Sequence, residues 1–189
     1  MIYSEKTHYL MNSIKIEDLY TQLENILSSN FAGMMVECCT LCLNSQKHSS
    51  PTDLLSFKHE KNMIREALSI EWTTEISSKM VATYRDENRT TDHAAMCIAL
   101  LLASRLTGFD DIETSKKGDG VDFWLSKGDN FDFVARLEVS GIKRENGSNT
   151  IKNRLKIKFP QTQQSDNSNV PAFVSIIEFS KPEALYILK

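Results

Sequence analysis

Two carboxylates carry the sharpest chemical signal in this chain. Asp122 lies one residue into the aromatic run Val121-Asp122-Phe123-Trp124-Leu125, and Glu138 lies sixteen residues on, late in the alternating run Phe131 to Ile142. The turn Ser126-Lys127-Gly128-Asp129-Asn130 separates the two runs, so they read as the strands of a β-hairpin. Antiparallel pairing brings the start of the first strand beside the end of the second. Both carboxylates then point to one face of the hairpin. Such a pair repels, and each group raises the other's pKa unless a cation lies between them. Oxygen donors of this kind suit Mg²⁺ or Mn²⁺, and a backbone carbonyl near Val139 could add to the set. An ion held there would polarise a phosphodiester and acidify a bound water. The bland alternative is a pair of charges on a solvated sheet face.

The elements that must position this pair follow from glycine placement and periodicity. Only Gly33 precedes residue 108, whereas Gly108, Gly118, Gly120, Gly128, Gly141 and Gly147 follow. Glycine is costly inside helices and useful in turns, so helices are expected early and strands late. Ile16, Leu19, Tyr20, Leu23, Ile26 and Leu27 form a helical stripe, and Met34 to Leu43 reads as a buried helix. Residues 54–88 carry mixed signals, with strand-like alternation at Leu68, Ile70 and Trp72. A helix is expected from Asp92 to Thr107, with Thr90 or Thr91 as N-cap and Gly108 closing it. Thr150 to Phe159 reads as a short basic helix ended by Pro160, followed by a loop, QTQQSDNSN. Ala172 to Phe179 reads as a buried strand and Ala184 to Leu188 as a last edge strand. The expected class is α/β (α+β), with a mainly helical region over 1–88 packed on an α/β core over 89–189.

Gly120-Val121-Asp122 followed by Glu138-Val139-Ser140 resembles the centre of the PD-(D/E)XK nuclease superfamily. That resemblance implies a restriction-endonuclease-like mixed sheet flanked by helices, in the order helix, three-stranded meander, helix, strand. It also implies Mg²⁺- or Mn²⁺-dependent cleavage of DNA phosphodiesters, in bacterial antiviral defence or DNA processing. Metal ligands would be Asp122 and Glu138, joined by Asp92 (or Glu113) as the extra acidic residue that many members carry. Ser140 stands where the superfamily has the lysine of Glu-x-Lys, and a serine carries no charge to place beside a phosphate. Lys158 and Arg154, four apart on one face of the basic helix, are the first candidates to replace that cation, and Lys143 is the next. Ser140 would line the site. The alternative implied by that serine is a catalytically degenerate, non-enzymatic relative acting as a subunit or adaptor, with a protein partner or a second copy of itself. The strings TTDHAA (90–95), GVDFWL (120–125), ARLEVSGI (135–142) and Arg154, Lys158, Gln161 also resemble a family of small bacterial proteins without an established activity.

Charge is unevenly distributed. The chain of 189 residues carries a net charge of −3, which argues against a protein that coats DNA broadly. Yet residues 141–160 hold Lys143, Arg144, Lys152, Arg154, Lys156 and Lys158 against Glu145 alone, a local basic segment suited to phosphates. No apolar run approaches the roughly 20 residues of a membrane helix. No signal-peptide stretch opens the sequence. Three cysteines crowd at Cys38, Cys39 and Cys42, as expected of reduced thiols in a cytoplasmic protein. Cys39-x-x-Cys42 with His48 and His59 downstream is better read as buried small side chains than as a zinc site, because it lies in an apolar helix without a second pair. His93 reads as a surface or capping residue, and Trp72 and Trp124 as core. Gly118-Asp119-Gly120 lacks the following Gly-Lys-Ser/Thr of a phosphate loop.

Overall fold

The computed structural model describes residues 12–22, 27–60, 62–109, 111–128 and 132–189. Leu23 and Ile26 of the expected helical stripe lie outside them, as do Asp129, Asn130 and Phe131 of the expected hairpin. The chain is α+β, as expected. Its strands are β1 (Asn12–Lys15), β2 (Thr52–Glu60), β3 (Asn62–Glu71), β4 (Asp111–Thr114), β5 (Phe123–Ser126), β6 (Phe133–Ile142), β7 (Ala172–Glu178) and β8 (Glu183–Leu188). The helices are α1 (Asp18–Gln22), α2 (Ser29–Ser45), α3 (Ser78–Thr83), α4 (Glu87–Thr107) and α5 (Ile151–Gln161), with a 3₁₀ turn over Thr162–Ser168. All eight strands form one mixed sheet in the order β1-β3-β2-β8-β7-β6-β5-β4.

Several expectations need correction. The described residues before 89 are not a helical layer alone, because β1, β2 and β3 belong to the same sheet as the later strands. β2 and β3 pair along their whole length as a long hairpin, which supplies the partners that the ambiguous periodicity of 54–71 left undefined. β8 is no edge strand. It lies between β2, which it pairs in parallel, and β7, which it pairs antiparallel. Helix α4 starts a turn earlier than expected, at Glu87. Asp86 caps it, its Oδ1 accepting from Asn88 N at 3.0 Å and Arg89 N at 3.2 Å. The Thr90 and Thr91 hydroxyls instead donate to the carbonyls of Asp86 and Glu87 one turn back. Pro160 does not end α5 but sits in its last turn, and the expected loop after it is the 3₁₀ turn.

Two clusters sandwich the site-bearing half of the sheet. On one face α4, with α2 packed against it, lies over the cluster of Phe123, Leu125, Ala135, Leu137 and Val139. On the other, Ile151, Leu155 and Phe159 of α5 pack on Ile142, Val174 and Ile176. From α4 onward the chain runs helix, antiparallel β4-β5-β6, helix α5, then β7 parallel to β6. Crossovers between parallel strands of one sheet need a connection of this length, usually a helix. Gly141 lets α4 lie directly on β6, since a Cβ there would collide with the Thr91 carbonyl. Among the described residues, no helix is long and apolar enough to cross a membrane.

Candidate functional site

The pairing of β5 with β6 sets the carboxylate geometry. Phe123 lies opposite Leu137, and the Asp122 N–H extends the ladder by donating to the Leu137 carbonyl at 2.9 Å. Asp122 therefore sits beside Glu138, and its Oδ2 accepts from the Val139 N–H at 2.7 Å. The approach to this position is fixed by Gly120, whose φ of 70° favours glycine. A Cβ on Gly120 would also strike the Gln161 carbonyl at the end of α5.

Glu138 is buried, 1% exposed, on the face of β6 that α5 covers. The face carrying Arg136, Glu138 and Ser140 is thus not a solvated one. The Glu138 Oε1 accepts from Lys158 Nζ at 2.5 Å and from Gln161 Nε2 at 3.0 Å. Helix α5 presents both donors because its apolar side, Ile151, Leu155 and Phe159, is fixed on the sheet, leaving positions 158 and 161 over Glu138. Thr150 starts this helix by accepting from the Asn153 N–H at 3.3 Å. Glu138 Oε2 is buried and meets no donor.

The electrostatics follow from this arrangement. Burial raises the Glu138 carboxyl to about 7, and the neighbouring Asp122 charge pushes it the same way, while Lys158 opposes both. Asp122 is also raised, first by burial. The Val139 N–H and Lys158 act against that rise, and the charge of Asp92 adds to it. The two carboxyls abut within hydrogen-bonding reach. A proton on one of them would therefore satisfy the other, the expected behaviour of paired acids in a low-dielectric pocket.

The remaining sequence candidates divide. Lys158 reaches the pair and Arg154 does not: its Nε donates to Asn149 Oδ1 at 2.8 Å. Asp92 is exposed in the second turn of α4, where its charge acts on Asp122. Among the described residues no three His, Cys, Asp or Glu side chains are grouped closely enough to hold a metal ion, so the acidic set is two, not three. Glu113 is exposed on the edge strand β4. Ser140 is buried two positions beyond Glu138 on the same face. Lys143 pairs with Glu87 at 2.6 Å, and Arg144 donates to Gln46 Oε1 at 2.9 Å. With Arg154, Asn146, Asn149 and Asp92 they line a polar cleft of about 690 Å³. Lys152 and Lys156 are exposed on α5 and line no part of that cleft.

Two residues were given no role at the sequence level. Gln161 is one, although its spacing of three from Lys158 on a helix is a readable signal. Arg136 is the other. It is buried, with Nε donating to Val170 O at 3.1 Å, Nη1 to Thr162 O at 3.0 Å and Ser165 Oγ at 2.7 Å, and Nη2 to Asp166 Oδ1 at 2.6 Å. This fork ties the 3₁₀ turn after α5 to the same strand that carries Glu138. The cysteines are free and buried, and burial pushes Cys38 and Cys42 up to about 12, so these thiols are inert. His48 hydrogen-bonds the Phe179 carbonyl at 2.8 Å, and the His59 side chain lies outside the described residues. Trp72 packs against the core, and Trp124 lies 5.3 Å from the Phe133 ring. Comparison with family models, curated proteins and solved structures finds no match for this chain.

Proposed function

We propose that the chain is a nuclease-like hydrolase of nucleic-acid phosphodiesters that works with Mg²⁺ or Mn²⁺. The observation that carries this reading is Lys158 Nζ, 2.5 Å from Glu138 Oε1, with Asp122 alongside. On this reading Lys158 supplies the cation that the serine at 140 cannot. Gly120-Val121-Asp122 and Glu138, within the order helix, three antiparallel strands, helix, parallel strand, support the resemblance to the PD-(D/E)XK superfamily. That resemblance makes DNA the expected substrate, in defence or DNA processing.

The donor set fits a divalent ion in one specific respect. Glu138 Oε2 is a buried oxygen without a donor, next to a second carboxylate whose repulsion a cation would relieve. Asp122 and Glu138 would hold the ion, with waters and substrate oxygens filling the remaining positions. Asp92 would add long-range negative charge. Such an ion supplies Lewis-acid polarisation and an acidified water. Lys158 would neutralise charge growing on the phosphate, and Gln161 would keep Glu138 in its rotamer.

A second reading rests on Ser140 and on the closed Lys158–Glu138 pair. In it the chain is a degenerate relative that binds a protein partner or a second copy of itself. The deciding experiment measures cleavage of DNA and RNA with Mn²⁺ by wild type, Asp122→Asn, Glu138→Gln and Lys158→Met, beside calorimetric Mn²⁺ titration. Folded variants should lose roughly 100-fold or more in cleavage, the size expected when one electrostatic contact to the transition state is removed. Mn²⁺ binding should disappear in Asp122→Asn. Equal background cleavage in all four proteins, with no Mn²⁺ site, would overturn the proposal in favour of the second reading.

A further inference from the structure

A second cleft, of about 380 Å³, opens at Asp122 and shares no lining residue with the one that holds Arg154. Its walls come from α2, α4, the β4–β5 segment, the end of α5 and the 3₁₀ turn. Phe31 of α2 and Met96 of α4, both half-buried, give an apolar side. Lys116 and Lys117, both exposed, stand on the loop between β4 and β5, and Gln164 reaches in from the 3₁₀ turn.

The loop is already shaped. The Lys116 N–H donates to Asp119 Oδ2 at 3.1 Å, and the Trp124 indole holds the same oxygen at 3.2 Å. The Ser115 N–H donates to the Asp122 carbonyl at 2.9 Å, and Gly118 and Gly120 take the positive φ values that the turn needs. A loop held in this way spends little ordering entropy on a ligand.

We infer that this cleft takes one unpaired nucleotide, so that the substrate strand is single-stranded or locally opened at the scissile bond. The inference deepens the nuclease reading and rests on it. An aromatic ring beside a thioether suits the face of a base, which every base offers once out of its stack. Two lysines on the rim suit the adjoining phosphates, and a glutamine amide suits a base edge. A duplex keeps its base faces covered. Its grooves are entered by protruding helices or ribbons, whereas this surface is concave and of single-ligand size. Asp122 and Gln161, which both border the carboxylate pair, line this cleft, so a phosphodiester next to the bound nucleotide would lie near Asp122.

The test is anisotropy of a labelled single-stranded oligonucleotide and of a hairpin duplex of the same length, in chelator so that nothing is cleaved. Wild type should bind the single strand at least about ten-fold more tightly. Removing both rim cations in Lys116→Ala/Lys117→Ala should lower the slope of log affinity against log salt by about 1.4, since each single-strand phosphate contact contributes about 0.7. Phe31→Leu keeps an apolar residue on α2 but removes the ring, and should weaken single-strand binding at least about five-fold. A melting curve for each variant checks that the fold is retained. Duplex binding as tight as single-strand binding overturns the inference, and so does an unchanged salt slope in the double lysine variant. These readouts involve no cleavage. Loss of binding in the lysine variant, with no metal-dependent cleavage by wild type, would sink the nuclease reading and leave the nucleotide site standing. Cleavage abolished by Asp122→Asn, with unaltered binding in all cleft variants, would do the reverse.

Discussion

Replacing Glu138 by glutamine should change how stability depends on pH, in a direction set by the buried pair. The Glu138 carboxyl is raised from 4.5 to about 7, mainly by burial and then by Asp122. A carboxyl whose pKa is raised by folding prefers its protonated form in the native state. Its contribution is therefore fully present below about pH 4.5 and is lost as pH climbs through about 7. At 1.36 kcal/mol for each pH unit of separation, the loss amounts to about 3 kcal/mol. Glu138 is 1% exposed, so solvent screening removes little of it. Glu138→Gln never ionises, yet its amide can still donate toward Asp122 and accept from Lys158. Urea unfolding at steps from about pH 5 to about pH 8, with the m-value checked for constancy, should show wild type losing roughly 2–3 kcal/mol more than Glu138→Gln. Saturating Mn²⁺ should restore wild type most at the upper end of that range, by about 2.7 kcal/mol at a hundred times its Kd. It should leave Glu138→Gln nearly unmoved. Parallel pH curves for the two proteins would refute the coupling between burial and the carboxylate pair.

Two further outcomes test what holds the site together. Arg136→Lys keeps the charge but loses the planar fork that serves four oxygens, and should cost about 2–4 kcal/mol in unfolding free energy. If the fork positions the end of α5, the NMR titration of Glu138 should also move upward as Lys158 loosens. An unmoved midpoint would confine Arg136 to general stability. Gly120→Ala and Gly118→Ala both place a side chain at positive φ, but only at Gly120 does the new methyl meet the Gln161 carbonyl. Thermal melting should therefore drop further for Gly120→Ala, by the equivalent of about 1–3 kcal/mol.

What the sequence revealed depended on how local each signal was. The hairpin of Asp122 and Glu138 was legible because alternation and a polar turn specify antiparallel neighbours within twenty residues or so. Thr150 to Phe159 was legible as a helix, and its four-residue spacing put Arg154 and Lys158 ahead of Lys143 as the cation. Choosing between those two was not possible, because the choice depends on how α5 rotates against β7. That rotation is fixed by Ile142 on β6 and by Val174 and Ile176 on β7, a strand that comes after α5 and its following turn. The strands β2 and β3 were obscured for a similar reason. β2 lies between β3 and β8, and β8 is more than one hundred residues away. Burial of Arg136, Glu138 and Ser140 was hidden too. A period of two with one polar face normally signals solvent, and here that face is satisfied by α5 and the turn after it.

On the proposed reading, taking the cation from helix α5 rather than from strand β6 has a physical consequence. A lysine at position 140 would be held by the same ladder that holds Glu138, so the two groups would keep their spacing whatever α5 did. Lys158 instead depends on the docking of α5, through Ile151, Leu155 and Phe159, on the Arg136 fork beyond its C-terminus, and on the bare backbone of Gly120 against Gln161. Each of these contacts lies outside the carboxylate pair, and together they set α5 on the sheet with Lys158 over Glu138. On the proposed reading, activity should therefore be lost before the fold is lost when α5 is loosened, because a misplacement of about 1 Å at reacting groups can cost on the order of 100-fold in rate while the packed core still holds the fold. A conservative Leu155→Ala, which removes apolar contact from α5 without touching a charge, should lower cleavage at temperatures where circular dichroism still reports native structure. Coincident loss of cleavage and ellipticity would place the cation's positioning in the sheet alone.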